Sequence, residues 1–139
     1  VDESLEGLAW LISQLEANSS IMASLTGGVW PIQAPEGTLL PFAVVTPMGG
    51  RDVKGVAGIR LFWEGPYQVR FWGYATQSDT LKTVNNTADT LLQRTHGTTA
   101  TATIMSCIRD NPLPILPDWD GQQLRIGMGG LYRLQVRPS

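Results

Sequence analysis

The residues that could do acid–base or nucleophilic chemistry are few: one histidine, His96, and one cysteine, Cys107. A hydrolase would need His96 within hydrogen-bond reach of a hydroxyl such as that of Ser106. But His96 precedes Gly97 at the predicted C-terminal end of a helix, where the helix dipole alone accounts for an imidazole. Cys107 falls inside a predicted strand and not at a helix N-terminus, so nothing lowers its thiol pKa and it reads as a small buried hydrophobe. One His and one Cys cannot make a Cys/His zinc set. Asp118 and Asp120 flank Trp119, yet no glutamate follows at calcium-loop spacing, and Asp-x-Asp-Gly fits a surface turn. Gly49-Gly50 and Gly127-Met128-Gly129-Gly130 lack the Lys-Ser/Thr of a phosphate loop and read as turns. The inventory predicts no enzyme, no metal and no cofactor.

The remaining chemistry is that of contact surfaces. Trp and Arg dominate binding hot spots because each joins a large buried area to a polar handle. Trp72 shares with Arg70 the strand face opposite Val69 and Phe71, and Trp119 tops a proline-rich stretch. Trp72 therefore either meets another chain or lies under the protein's own loops and helices; Trp10 and Trp30 read as core. Residues 1–50 hold five acids (Asp2, Glu3, Glu6, Glu16, Glu36) and no Lys or Arg, whereas residues 51–139 hold seven acids and ten bases, eight of them Arg. Opposite-sign halves suit head-to-tail self-association; an uneven but merely solvated surface is the alternative.

Composition narrows the class. The chain has 139 residues, which make one domain spanning 1–139, and it is 42% hydrophobic but only 16% charged. No apolar run approaches the roughly twenty residues that span a bilayer, and low hydrophobicity with high net charge, the mark of disorder, is missing. The acidic start Val1-Asp2-Glu3-Ser4 does not look like a secretory leader, and a lone cysteine fits a reducing cytoplasm. A net charge of −2 gives no case for nucleic-acid recognition.

The elements follow from periodicity. Ser4 is a candidate cap for a helix with Leu5, Leu8, Ile12 and Leu15 on one stripe and Trp10 and Leu11 beside it. Asn18 recaps a short helix with Ile21, Met22 and Leu25, closed by Gly27-Gly28. A strand runs from Phe42 to Met48, and Gly49 to Ile59 is expected to be a flexible loop. Arg60–Trp63 and Tyr67–Tyr74 read as extended segments split by Glu64-Gly65-Pro66. Ser78 caps an amphipathic helix with Leu81, Val84, Ala88, Leu91 and Leu92 inward, ending at Arg94–Gly97. Thr98–Arg109 is a strand, Asp110–Gly121 a stiff excursion, and Leu124–Met128 and Leu131–Arg137 a closing hairpin around Gly129-Gly130. This predicts an α+β domain in the order α-β-β-α-β-β, a mainly antiparallel four-stranded sheet with helices on one face.

Three segments carry a resemblance: Gly28-Val29-Trp30-Pro31, then Ala34-Pro35-Glu36-Gly37, then Pro41-Phe42-Ala43-Val44-Val45. Together they resemble the opening of the tail-completion family of long-tailed bacteriophages, the tail terminators and tail-to-head joining proteins. Tyr67-Gln68-Val69-Arg70-Phe71-Trp72-Gly73 is similar to that family's second strand, and Tyr132–Val136 to its closing strand. Gly49–Ile59 with Phe62-Trp63, and Asp110–Gly121, depart from the pattern. The resemblance implies a non-enzymatic virion protein, assembled in the host cytoplasm into a ring of six copies. Such a ring sits on the last tail-tube ring, stops polymerisation and meets the head connector or head completion protein, with genome DNA passing through unread.

On that reading the expected subunit interface sets Glu3, Glu6 and Glu16 against a neighbour's Arg70, Trp72, Arg133 and Arg137. The loop with Arg51, Asp52 and Lys54, together with Trp119, is expected to touch the tube or connector. A competing reading is a small-ligand or regulatory α+β domain binding a metabolite beside Trp72 and Tyr74. It needs a pocket of converging polar groups, and the sequence identifies none.

Overall fold

Asp2, not Ser4, starts the first helix: its Oδ1 accepts from the Leu5 amide at 3.2 Å. The computed structural model describes residues 2–138. Helix α1 (Glu3–Glu16) is followed by α2 (Ser19–Ser24), which Asn18 caps through the Ile21 amide at 3.0 Å. Then come β1 (Val29–Pro31), β2 (Phe42–Pro47), β3 (Arg51–Lys54), β4 (Arg60–Tyr74), α3 (Ser78–Leu92), β5 (Thr95–Thr98), β6 (Ala102–Pro112), β7 (Leu116–Asp120) and β8 (Gln123–Pro138).

The four-stranded antiparallel sheet expected from the sequence is replaced by a curled, mixed sheet of eight strands, so the order α-β-β-α-β-β does not hold. Its spine runs β1-β2-β4-β8-β6-β5, with β3 added to β4 and β7 added to β8. The β1–β2 pair is parallel and the other pairs are antiparallel. Two long antiparallel strands, β4 and β8, form the centre. Along its outer edge β4 carries β2 and then β3; β8 carries β6 and then β7.

Four expected breaks turn out to be sheet. Gly129-Gly130 is no turn, because β8 runs through it; a Cβ at Gly129 would meet the Val69 carbonyl of β4, so glycine here permits close approach of two strands. Glu64-Gly65-Pro66 does not split β4. Pro66 accepts from the Met48 amide at 3.0 Å, so its nitrogen faces the same flank, at the gap between β2 and β3 where no ladder bond is lost. The supposed flexible loop holds β3, whose Arg51–Lys54 pair with Glu64–Arg60. The supposed excursion holds the end of β6 and all of β7, paired with Gln123–Gly127.

Helices α1 and α3 pack on one sheet face. Leu8, Leu11 and Leu15 of α1 and Leu81, Val84, Ala88 and Leu92 of α3 meet Val45, Val69, Phe71, Ile104, Leu134 and Val136. The inward stripe of α1 is thus Leu8-Leu11-Leu15, while Leu5 is 56% exposed. Two cross-strand partners, Tyr67 and Tyr132, tie the helices down. Tyr67 Oη donates to the Ser4 carbonyl at 2.6 Å, and Tyr132 Oη donates to Asp89 Oδ1 at 3.0 Å. Burial raises the pKa of both phenols.

Candidate interaction surface

The sheet's other face alternates with this core residue by residue, and its polar groups line up across strands. Ser106 Oγ of β6 donates to Gln135 Oε1 at 3.1 Å, and Gln135 Nε2 of β8 donates to Glu64 Oε2 at 2.9 Å. Arg51 of β3 completes the row on Glu64 at 3.4 Å. Each pair is directly opposite in register, which is why four separate segments assemble one row. The Gln135 hydrogen bond is the main reason the Glu64 carboxyl sits below its ordinary pKa of 4.5; burial opposes it.

Further along β4 the same face opens into a groove of about 440 Å³. Phe42, Val44 and Thr46 of β2, Gln68, Arg70 and Trp72 of β4 and Arg125 of β8 line it, with Ile32 and Leu116 on its flanks. Arg70 is 4% exposed; its Nη1 donates to the carbonyls of Pro114 and Gly127, each at 3.0 Å, and its guanidinium lies 5.9 Å from the Trp72 ring centroid. Desolvation lowers its pKa. Arg125 is paired with Asp118 of β7. Gly127, opposite Trp72 on β8, leaves room for these side chains: a Cβ there would meet the Trp72 ring at 2.9 Å and Arg70 Cδ at 3.0 Å.

The residues expected at the subunit interface do not form one patch. Glu3 is buried and ion-paired to Arg60 at 2.8 Å, and Glu6 accepts from Thr99 Oγ1 at 2.6 Å. Arg133 pairs with Asp110 at 3.7 Å. Glu16 and Arg137 are exposed, and among the described residues neither has an ion-pair partner. Arg70 and Trp72 share the groove, where Pro114 and Leu116, and not the helices, lie against them.

The expected tube contacts lie at two places. Arg51, Asp52 and Lys54 belong to β3, and Arg60 bridges Asp52 at 3.7 Å. Beyond them the hairpin tip leaves Val56 91% and Ile59 65% exposed. Trp119, 67% exposed, stands on β7. Sequence reasoning missed Glu64, Gln135 and Arg125, although Asp118 and Arg125 across a short turn were a usable hairpin signal.

The remaining candidate reactive groups lie on β5 and β6, with His96 exposed beside the β6 bulge that holds Ser106. His96 lies on β5 and not at a helix end, since α3 stops at Leu92. Ser106 is bonded to Gln135. Burial pushes the Cys107 thiol up to about 12. Among the described residues no group of three or more His, Cys, Asp or Glu could hold a metal ion, and no helix is long and apolar enough to cross a membrane.

No family profile and no curated protein matches the sequence. The fold, however, is similar to that of a chain in a solved structure described as "Virion of native gene transfer agent (GTA) particle". The TM-score is 0.68 at 15% identity, over 99% of this chain and 98% of that one. The whole chain thus has the fold of a component of a virion particle.

Proposed function

We propose that this protein is a structural, non-enzymatic virion component of the tail-completion kind. It forms a ring, of six copies, at the head-proximal end of a tail tube, stops tube growth and joins the tube to the head connector. The observation that carries this reading is the end-to-end fold similarity to a chain of a gene transfer agent virion, covering 99% of this chain. The tail-completion resemblance of Gly28–Val45 and Tyr67–Gly73 agrees with it.

The geometry supports a ring in one further way. A closed heterologous ring needs two complementary, non-identical faces on each subunit. Here one flank presents the outer side of α1 with Glu16, and the opposite sheet face presents the groove with Arg70 and Trp72. The β3–β4 tip, with Val56 and Ile59 exposed between Lys54 and Arg60, is the element we assign to the tube or connector. Trp119 is assigned to the same role.

Electron microscopy of particles assembled without this protein tests the reading. Overlong, headless tubes are the expected result for a terminator. Tails of normal length that fail to join heads would move the role to joining, and normal infectious particles would overturn the proposal in favour of a ligand-binding role for the groove.

A further inference from the structure

Arg70 is a buried cation without an anion. Among the described residues no carboxylate lies within ion-pair distance, and its Nε has no hydrogen-bond partner. Two backbone carbonyls hold Nη1, which orients the guanidinium but leaves its charge uncompensated. A guanidinium taken from water without a counter-charge is costly. Arg125, the other cation of the groove, already has Asp118. Two carbonyls and the Trp72 ring are thus the whole of its polar company among the described residues, and none of them carries a negative charge.

Glu16 is an exposed anion with no ion-pair partner among the described residues. It is the last residue of α1, where the helix dipole is negative, and no basic residue occupies that last turn. Leu5, Ala9, Ser13 and Glu16, spaced i, i+4, i+8 and i+11, form an exposed stripe on the side of α1 turned away from the core. In isolation such a stripe is only a solvated helix face; an unpaired, buried arginine lining an open groove supplies the second half of a contact. The two halves cannot meet within one subunit, because α1 packs on the core face of the sheet and Arg70 opens on the other.

We propose that the groove receives the outer stripe of α1 from a second copy of this chain, with the incoming Glu16 carboxylate on Arg70. Ile32 and Leu116, 59% and 42% exposed on the groove's flanks, then close on the neighbour's Leu5 and Ala9. This rests on the ring reading and deepens it: the contact is head-to-tail, uses different faces of the two partners, and repeats around a ring.

Sedimentation velocity of the full chain, with and without tail tubes, tests it. Glu16→Arg and Arg70→Gln should each weaken the junction at least about thirtyfold and leave monomers. Mixed one to one, they should form a heterodimer and nothing larger, because one intact groove meets one intact helix. Circular dichroism reports whether Arg70→Gln folds. If it does not, surface variant Glu16→Arg carries the test alone: added to wild type it should cap growing assemblies and shift them to shorter species. Normal assembly by Glu16→Arg would overturn the proposal while leaving the ring reading standing. A wild-type chain that stays monomeric under all these conditions would overturn both. Inorganic phosphate bound at Arg70 of the monomer, with assembly indifferent to Glu16→Arg, would assign the groove to a free anion instead and likewise overturn it.

Discussion

The two faces of the central sheet obey different rules. On the helix side, Tyr67, Val69, Phe71, Tyr132, Leu134 and Val136 are sealed under α1 and α3, and their two polar side-chain groups, the tyrosine hydroxyls, are hydrogen-bonded. On the other side the same strands present Glu64, Gln68, Arg70, Trp72, Arg133 and Gln135, in part bonded across strands and in part facing a groove. The first face holds the subunit together. The second is finished only locally and retains a buried guanidinium, that of Arg70, with no ion-pair partner among the described residues. If the groove face is the assembly face, as proposed, a large side chain should matter mainly to stability or mainly to assembly according to its parity along the strand.

The largest effect should come from the point where the two central strands touch. Gly129→Val would drive a side chain into the Val69 carbonyl, and equilibrium unfolding should show a loss of at least about 3 kcal/mol. An unchanged midpoint would mean the backbones are not in close contact there. Next, the parity rule can be put to a paired test on β8. Leu134→Ala, on the core face, should cost about 2–5 kcal/mol by denaturant titration, and Leu131→Ala, on the groove face, less than about 1 kcal/mol. Equal costs would break the comparison.

A smaller effect concerns the polar row. Because the hydrogen bond from Gln135 lowers the Glu64 pKa below 4.5, its stabilisation is complete above that value and fades as pH falls through the lower folded-state value. Thermal unfolding between about pH 5 and 2 should therefore show wild type losing more stability on acidification than Glu64→Gln, with parallel curves contradicting the assignment. The smallest effect on stability is expected at the hairpin tip. Val56→Ser with Ile59→Ser should shift unfolding by no more than about 0.5 kcal/mol yet abolish co-sedimentation with tail tubes, and retained co-sedimentation would remove the tip as an anchor.

The helix-side face was readable from the amino-acid order because burial on one side of a strand or helix leaves a period. Tyr67-Val69-Phe71, Tyr132-Leu134-Val136 and Leu81-Val84-Ala88-Leu92 all announce themselves in this way. Strand count was not readable, because the residues that usually interrupt strands serve other ends here. Gly129 allows two backbones to approach, Pro66 sits at a gap between neighbouring strands, and Pro112, Pro114 and Pro117 lie along the β6–β7 edge. Charge sign in the two halves pointed to self-association but not to which charges remain available. Glu3 and Glu6 are engaged by Arg60 and Thr99, residues remote in sequence, and only the fold shows that Glu16 is left over. The groove was equally hidden, since Ile32, Arg70, Leu116 and Arg125 come from four separate segments.

As proposed, this chain forms a ring that caps a tail tube at one end. The most direct test is electron microscopy of purified tail tubes incubated with the purified protein. The expected result is a single added ring at one end of each tube, sixfold in end-on averages, and no further growth when tube protein is supplied. Bare tube ends that continue to elongate, or protein scattered along the tube walls, would contradict it.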